Sequence, residues 1–281
     1  MPANPNWQPT TFLRQDDMLD TSMGTARILT DAGPAFIKAL GNRQGPHCLA
    51  CEWVATQLAN WFDLDTFDYA LMTIDADVDE IRFFRGGQAH SGAAFVTRFT
   101  SGHTWGGTTE ELDAIVNPEH VSRLVVFDTW VRNCDRYPPD LNVRKPNYDN
   151  VFLADAPDAA KGESRLIAMD HTHCFTCGRD LDPGVAQIDW VKDDRVYGLF
   201  PGFVPKVRQE EVEAAVDQLQ QLDEHFVREV VGSIPQDWEV TPEARDKLAE
   251  LIHRRAAFVA DCISEAVAKT CWPNQLFDTE E

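Results

Sequence analysis

One lysine inside an otherwise apolar strand constrains this chain more than any other feature. Residues 26–29 (ARIL) and 35–40 (AFIKAL) predict two strands joined by a turn, and Lys38 is the one charged residue of the second strand. A charge among apolar neighbours needs a partner, because burying it alone is costly. Glu52 lies in the helix that the periodicity of residues 49–62 predicts, and it could supply that partner. The alternative is that Lys38 is exposed on an edge strand and that Glu52 is solvated.

A second set of polar residues follows or precedes apolar segments in the middle of the chain. Asp135 comes shortly after a predicted apolar helix at residues 120–133, Asn150 opens the predicted strand NVFLAD, and Asp170 ends the predicted strand SRLIAMD. Phosphoryl transfer requires such a set. One Asp orients or deprotonates the attacking hydroxyl, an Asn and a second Asp hold Mg²⁺, and a Lys fixed by a Glu contacts the phosphates. Mg²⁺ prefers these oxygen ligands.

The other patterns divide the chain into a sheet-forming part and a helical part. Residues 1–20 are polar and predict an irregular arm, whereas residues 68–75 and 80–85 predict two further strands. The glycines between positions 86 and 107 indicate a flexible segment that contains the boundary between two lobes. From residue 206 onward the apolar periodicity predicts helices with a solvated acidic face.

The acidic composition limits the possible partners. The 281 residues include 46 Asp and Glu against 25 Lys and Arg, a formal net charge of −21. We expect neither nucleic acid nor a membrane as partner, because phosphate binding needs clustered basic residues. The sequence contains no apolar run of about 18 residues that would predict a transmembrane helix, and residues 1–17 do not resemble a signal peptide. Seven cysteines spread over the chain indicate reduced thiols and hence a cytoplasmic location.

Several ordered segments resemble the HipA-like kinases, which are distant relatives of protein kinases and of type II phosphatidylinositol 4-kinases. Residues 36–75 are similar to the family's strand lysine, its G-N-x-Q-G-P loop, its glutamate-bearing helix and its next strand. VVFDTWVRNCDR resembles the family's F-D-x-W-x-x-N-x-D-R segment, RLIAMDHTHCF resembles its apolar-I-D-H-x-x-x-F segment, and the later IPQDW also fits. The resemblance implies an α+β, two-lobed protein-kinase-like fold. A sheet with one helix would form the N-lobe at residues 1–100, and a mostly helical C-lobe would follow at residues 101–281.

By position, the resemblance implies a role for each of these polar residues. Lys38 would contact the phosphates of ATP, and Glu52 would pair with Lys38. Asp135 would be the catalytic base or would orient the acceptor hydroxyl, and Asp170 would bind Mg²⁺. A loop that lacks a complete G-x-G-x-x-G would cover the phosphates through its backbone N–H groups. The residues of that loop are Ser22, Met23, Gly24 and Thr25.

The chain departs from the family pattern after Asp135. The family usually has an Asn five residues later, where this chain has Asp140; Asn142 stands two residues further on. Asn150 is the preferred metal ligand, because it directly precedes an apolar strand as the family's Asn does. A chain without a second metal ligand would be a nucleotide-binding pseudokinase that acts as a regulatory module.

The cysteines allow a different interpretation of two segments. Cys48-x-x-Cys51 and Cys174-x-x-Cys177 have the spacing of zinc ligands. The favoured interpretation is that the cysteines are small buried apolar residues, because the interval between the two pairs is far longer than in a zinc ribbon.

The activity that the resemblance implies is transfer of the γ-phosphoryl group of ATP, with Mg²⁺, to a hydroxyl group. By resemblance, Ser or Thr of a protein is the favoured acceptor. A lipid or small-molecule hydroxyl is the alternative, although the lack of a basic surface disfavours lipid headgroups.

Overall fold

Five antiparallel strands form the N-terminal sheet, in the spatial order β1-β2-β3-β5-β4. The computed structural model describes residues 6–156, 160 and 162–273. The strands of this sheet are β1 (Phe12–Met18), β2 (Ala26–Thr30), β3 (Gly33–Lys38), β4 (Tyr69–Ile74) and β5 (Gly92–Arg98). A smaller antiparallel sheet contains β6 (Gly102–Thr104), β7 (Val151–Asp155) and β8 (Ser164–Ala168).

Helices dominate the part of the chain that follows the large sheet. The α-helices of the described residues are α1 (His47–Trp61), α2 (Thr109–Asp113), α3 (Glu119–Val131), α4 (Ile188–Val191), α5 (Gln209–Gln220), α6 (Glu224–Gly232) and α7 (Pro242–Cys271). Only α1 among them interrupts the strands of the N-terminal sheet. The fold therefore combines an N-terminal antiparallel sheet with a mostly helical C-terminal part, which is the predicted α+β class.

Alternation along β3 directs Lys38 away from the apolar residues beside it. Ala35 and Ile37 are buried in an apolar cluster on one face of the sheet. Phe36 and Lys38 face the opposite side, where both line a cavity. Successive side chains of a strand point to opposite faces, so the pairing of Ala26 with Ile37 in the β2–β3 ladder fixes the direction of Lys38.

Helix α1 is buried along most of its length, because it packs between the sheet and the C-terminal helices. Trp53 makes edge-to-face contacts with Tyr69 and Phe95 of the sheet, at ring-centroid distances of 5.6 and 6.3 Å. The indole Nε1 of Trp53 also donates to Ser233 Oγ, 2.8 Å away at the end of α6. One side chain of α1 therefore contacts both parts of the molecule.

A short segment after α6 also ties the sheet to the helices. The carboxylate of Asp237 accepts a hydrogen bond from the backbone N–H of Ala93 in β5, at 2.8 Å. The indole Nε1 of Trp238 donates to the carbonyl oxygen of the same Ala93, at 2.9 Å, and Trp238 is fully buried. Both backbone groups of one strand residue are thus held by the C-terminal part of the chain.

Helix α3 lies at the centre of the C-terminal core. From His120 to Val131 its residues are buried, apart from Arg123. The fully buried Arg255 of α7 donates to the carbonyl oxygens of Thr129 and Trp130 at the end of α3, and also to that of Trp190 in α4. A buried guanidinium is tolerated here because backbone carbonyls accept its hydrogen bonds.

Most of the predicted elements are confirmed. The hairpin at residues 26–40, the helices at 49–62 and 120–133, and the strand at 68–75 are present with small shifts at their ends. The two apolar runs around the polar connection pair antiparallel as β7 and β8. Helices α5, α6 and α7 confirm the helical periodicity after residue 206, while residues 274–281 lie outside the described residues.

The strand predicted at residues 80–85 is wrong. These residues enter a tight turn, in which Phe83 N donates to Gly87 O at 3.1 Å and Arg82 forms an isolated bridge with Gln88. The next residue, Gly86, has a φ of 87°, so the chain turns directly after residue 85. The missing strand is β5, and it lies within the glycine-containing segment that was predicted to be flexible. It pairs with both β3 and β4.

The irregular arm predicted for residues 1–20 is also wrong where the structure describes it as a strand. Strand β1 pairs with β2 at the edge of the sheet, with irregular register. Its side chains are mostly exposed, so apolar alternation gave no signal for it. Residues 1–5 of the predicted arm lie outside the described residues.

The limits of the two lobes stay a prediction. The last strand of the large sheet ends at Arg98, two residues before the predicted boundary at residue 100. In the described part of the chain, no helix has the length and apolar character that crossing a membrane requires.

Candidate active site

Lys38 lies between two carboxylates that come from distant parts of the chain. Its ammonium Nζ is 2.7 Å from Glu52 Oε2 in α1 and 3.2 Å from Asp170 Oδ1, just after β8. The pairing of Lys38 with Glu52 that the sequence predicted is therefore present. The sequence did not show that Asp170 would reach the same ammonium group.

The charges of this group reinforce one another. Burial by itself would lower the pKa of Lys38, but Asp170 and Glu52 raise it above its usual value. Burial would raise the pKa of Asp170, but Lys38 and a hydrogen bond from Thr172 lower it to about 2. Burial raises the pKa of Glu52, and Lys38 opposes that effect. At neutral pH the cavity therefore presents a lysine cation beside an ionised Asp170.

The backbone after β8 is shaped to present Asp170. Asp170 has a φ of 55°, in the left-handed region that few non-glycine residues adopt. The next backbone N–H, that of His171, donates to Glu52 Oε2 at 3.1 Å, and Thr172 Oγ1 donates to Asp170 Oδ1 at 2.9 Å. Unusual backbone angles persist where surrounding contacts hold them, and such positions are common in active sites.

Asp135 is contacted from both sides of its carboxylate. Arg144 Nη1 lies 2.6 Å from Oδ1, and Asn150 Nδ2 donates to Oδ2 at 2.9 Å. His173 Nδ1 lies 3.4 Å from the same Oδ2. The sequence predicted Asp135 and Asn150 as site residues, and the structure brings them into contact. Arg144 and His173 were missed; Arg144 lies in a proline-containing insertion that has no periodicity to indicate its position.

Burial and hydrogen bonding distinguish Asn150 from Asp140 and Asn142, the other two candidates for the second metal ligand. Asn150 is buried, and its amide oxygen accepts a hydrogen bond from Asn147 Nδ2 at 3.0 Å. Asn142 is exposed, and its backbone N–H and side-chain Nδ2 both bond Asp140 Oδ1, at 2.9 and 3.1 Å. Asp140 and Asn142 thus stabilise their own loop, whereas Asn150 contacts Asp135.

A buried ion pair beneath the site fixes the loop that carries Asp135. Asp128, in the last turns of α3, accepts a hydrogen bond from Arg136 Nε at 2.7 Å and another from Asn133 Nδ2 at 3.1 Å. Both members of the ion pair are fully buried. Arg136 also donates through Nη1 to the carbonyl oxygen of Asn150. One arginine therefore joins the end of α3 to the residue that contacts Asp135.

A cavity of about 250 Å³ opens beside Lys38 and Asp170. Its walls are aromatic and threonine side chains of both sheets and of the segments next to their strands. They include Phe36, Phe67, Phe95, Phe152, Thr25 and Thr97. An apolar cavity with a few charged groups at one end is the usual form of a small-molecule site.

The loop predicted to cover phosphates connects β1 and β2. Gly24 N donates to the carbonyl oxygen of Thr21 at 3.2 Å, and Thr25 N donates to Thr21 Oγ1 at 2.9 Å. Two of its four backbone N–H groups are therefore bonded within the loop, which weakens the prediction that they bind phosphate. Thr25 lines the cavity; Ser22 and Gly24 do not line it in the described structure.

The cysteines of both C-x-x-C pairs are largely buried. Cys48 Sγ lies 2.6 Å from the carbonyl oxygen of Gly45, and burial raises the pKa of Cys48 to about 12. Zinc binds the thiolate form, which such a pKa disfavours. Across residues 6–156 and 162–273, no group of three or more His, Cys, Asp or Glu side chains is placed to hold a metal ion. This burial agrees with the interpretation of these cysteines as small apolar residues.

The family model described as HipA-like kinase matches residues 31–272, which is most of the chain. The chain belongs to the HipA-like kinase family. The matched range contains the lysine, glutamate, asparagine and two aspartates described above, and membership of a kinase family supports phosphoryl transfer as the general activity.

Solved structures confirm the kinase-like fold. The proinflammatory kinase CtkA of Helicobacter pylori aligns with a TM-score of 0.58 and 11% identity, over 92% of this chain and 96% of that protein. The structure of hydra Fam20 with sugar aligns with a TM-score of 0.52 and 10% identity, over 95% and 87%. At these identities the likeness shows the fold alone. No curated protein sequence matches the chain.

We expect Gly198→Ala to destabilise this HipA-like kinase strongly. A Cβ at Gly198 would stand 2.4 Å from Asp128 Oδ2, and the φ of 74° is unfavourable for alanine. Displacing Asp128 would disturb the buried pair with Arg136, so the free energy of unfolding should fall by about 3 kcal/mol or more. Urea denaturation measures this change.

Gly232→Ala is the matched control. A Cβ at Gly232 would meet no atom within 4 Å. Since alanine also favours a helix, its free energy of unfolding should stay constant or rise by up to about 1 kcal/mol. Equal denaturation midpoints for the two variants would show that the Asp128–Arg136 pair does not need the space at Gly198.

Proposed function

We propose that this HipA-like kinase transfers the γ-phosphoryl group of ATP, with Mg²⁺, to a hydroxyl group. The observation that carries the proposal is the position of Lys38. Its ammonium lies at the wall of the cavity, 2.7 Å from Glu52 and 3.2 Å from Asp170. Kinases use this combination of a fixed lysine and a metal-binding aspartate to hold the phosphates of ATP.

The aromatic part of the cavity fits the base of a nucleotide. Phe67 and Phe152 lie edge to face with ring centroids 5.2 Å apart, and both line the cavity together with Phe36. Apolar surfaces of this kind bind a flat ring, while the phosphates extend toward Lys38. Lys38 then neutralises part of the phosphate charge, and Glu52 keeps the ammonium in place.

The donor groups present fit Mg²⁺. Asp170 is ionised at neutral pH, because its pKa is lowered to about 2, and its side chain remains 28% exposed. The amide oxygen of Asn150 accepts one hydrogen bond in the structure, from Asn147, which leaves a second lone pair. Mg²⁺ is usually held by one or two protein oxygens together with phosphates and water, so two ligands suffice. When bound, the ion would offset negative charge on the phosphates.

We assign to Asp135 the role of orienting and deprotonating the acceptor hydroxyl. This residue orients the hydroxyl, whose oxygen attacks the γ-phosphorus as the bond to the β-phosphate oxygen breaks and ADP leaves. The hydroxyl proton passes to the carboxylate of Asp135. Arg144 and Asn150 hold that carboxylate in one orientation. The favoured acceptor is Ser or Thr of a protein, and we propose no membrane or nucleic-acid partner. The cytoplasmic location stays a prediction from the cysteines.

Mg-ATP should stabilise the folded protein. A ligand that binds the folded state alone at about 100 times its Kd contributes about 2.7 kcal/mol to stability. We therefore expect millimolar Mg-ATP to raise the Tm by several degrees, measured by differential scanning fluorimetry. Lys38→Met should lose most of this shift, while Lys145→Met, a change of an exposed lysine outside the cavity, should keep it. Equal shifts for both variants would exclude Lys38 as a phosphate contact.

Asp135→Asn should retain nucleotide binding and lose phosphoryl transfer. The asparagine keeps the size of the side chain but cannot accept the hydroxyl proton, so we expect the rate to fall by a factor of about 10²–10⁴. Transfer from labelled ATP to candidate acceptors, and to the protein itself, is the measurement. Asp149→Asn, which changes an exposed carboxylate near by, is the control. Transfer at the wild-type rate by Asp135→Asn would remove this residue from the mechanism.

Asn150→Ala should lower the rate of transfer much more than Asn142→Ala. Asn150 contacts Asp135 and is buried, whereas Asn142 bonds Asp140 in an exposed loop. Because Asn150 is proposed to hold Mg²⁺, its alanine variant should also need a higher Mg²⁺ concentration for half-maximal rate. The measurement is a Mg²⁺ titration of each variant. Unchanged Mg²⁺ dependence in Asn150→Ala would move the metal ligand to Asp140 or Asn142.

A further inference from the structure

A second cavity, of about 420 Å³, opens next to Asp135. The loop after α3 forms one side of it, through Cys134, the residue before Asp135, and through Arg144. The segment after β8 forms the other side, through Cys177, Arg179 and Trp190. Since Arg144 lies 2.6 Å from the Asp135 carboxylate, a molecule in this cavity would be close to the group that we assign to the acceptor hydroxyl.

Four arginines line this cavity, in a protein whose formal net charge is −21. They are Arg132, Arg144, Arg179 and Arg195. Their concentration here is unlike the rest of the sequence, where acidic residues exceed basic ones. The cavity is therefore a place where an anion would be attracted to a protein that otherwise repels it.

The ion pairs around the cavity do not neutralise all four of its guanidinium groups. Asp193 pairs with both Arg132 and Arg195, at 3.3 and 2.7 Å, and Asp193 itself is buried. Asp135 pairs with Arg144. Arg179 is exposed, and among the described residues no carboxylate lies within ion-pair distance of it. Asp140 is the one carboxylate among the described residues that line the cavity, so with Asp193 and Asp135 three carboxylates are matched with four guanidinium groups.

An indole ring holds two of these guanidinium groups in place. The guanidinium carbon of Arg132 lies 4.6 Å from the ring centroid of Trp190, and that of Arg179 lies 6.0 Å from it. Cation–π contacts of this kind orient an arginine without neutralising it. Arg179 is thus presented at the cavity with its donors available for an incoming anion.

Apolar side chains stand beside the cationic cavity. Val143 lines it and is 81% exposed, and the neighbouring Leu141 is 52% exposed. Surfaces that bind other proteins combine exposed apolar side chains with arginine in this way. A small inorganic anion would use the arginines alone, whereas a peptide would use both features.

We propose that this cavity binds an acidic side chain of a protein acceptor and so places the acceptor's Ser or Thr hydroxyl at Asp135. The inference rests on the proposed kinase function and names its substrate class: a protein segment with a carboxylate or phosphate near the hydroxyl. Guanidinium groups bind either anion through paired hydrogen bonds. The charge of the whole protein would repel such a segment elsewhere, so the cavity also selects where it binds.

Binding can be tested without catalysis. Three fluorescently labelled peptides share one Ser-containing sequence and carry Glu, phosphoserine or Gln at the flanking positions. The measurement is fluorescence anisotropy of each peptide with the full chain, at about 0.15 M salt and without nucleotide. The wild-type protein should bind the Glu peptide, the phosphoserine peptide or both at least about tenfold more tightly than the Gln peptide, since charge-assisted hydrogen bonds are the stronger ones. The Glu and phosphoserine arms distinguish carboxylate from phosphate recognition.

Arg179→Gln is the decisive variant, because Arg179 is exposed and its replacement should leave the fold intact. It should weaken binding of the anionic peptide about tenfold and leave binding of the Gln peptide unchanged. Arg254→Gln, which removes an exposed arginine of α7 outside this cavity, is the control and should bind as the wild type does. Equal affinity of the wild type for all three peptides, no binding of any, or no effect of Arg179→Gln would overturn the proposal.

The Mg-ATP thermal shift separates this inference from the proposed function. A normal Mg-ATP shift together with no preference for anionic peptides would overturn the proposal that the second cavity binds an acidic acceptor, and would leave the kinase proposal unaffected. Preference for anionic peptides without any nucleotide shift or transfer would leave an acidic-peptide site and overturn the kinase proposal.

Discussion

The ammonium group of Lys38, held between two carboxylates, is the interaction on which the candidate site depends. It connects strand β3 and the next helix, α1, with Asp170 after strand β8, which is 132 residues from Lys38 in the sequence. Removing the lysine would leave two carboxylates close together in a largely buried place, and such unpaired charges are costly. The same three charges that stabilise the junction of the two sheets would, in the proposed reaction, also define where the phosphates of ATP bind. Stability and function therefore constrain these residues together.

A second buried ion pair fixes the position of Asp135, just as Glu52 fixes the position of the Lys38 ammonium group. Asp128 and Arg136 are both excluded from water, and Arg136 reaches the backbone of Asn150. The proposed catalytic aspartate and the proposed metal ligand are therefore supported by one guanidinium group. Complete burial of both charges favours one geometry, because moving either residue would leave a buried charge without its partner.

The charged residues of the site were more predictable than the sheet that carries them. Lys38 and Asp170 were found because an isolated charge beside an apolar strand demands an explanation, and Asn150 because it begins another such strand. Strand β1 could not be found in this way, since its exposed edge shows no alternation. Strand β5 was not predicted, because the glycines around it were interpreted as a flexible segment. Arg144 lies in an insertion whose path no local pattern determines, so only the folded chain shows its contact with Asp135.

Helix α1 is held from two directions, and this has a consequence for how the protein could be controlled. Protein kinases can be switched by moving the helix that carries the glutamate partner of the lysine. Here that helix packs against the sheet through Trp53, which also bonds Ser233, and the nearby strand is bound at Ala93 by Asp237 and Trp238. Moving α1 outward would expose the apolar core that it packs against and break the bond between Trp53 and Ser233. The proposed activity would then be controlled by other means. These are the supply of acceptor, the occupancy of the cavity beside Lys38, and the abundance of the protein itself.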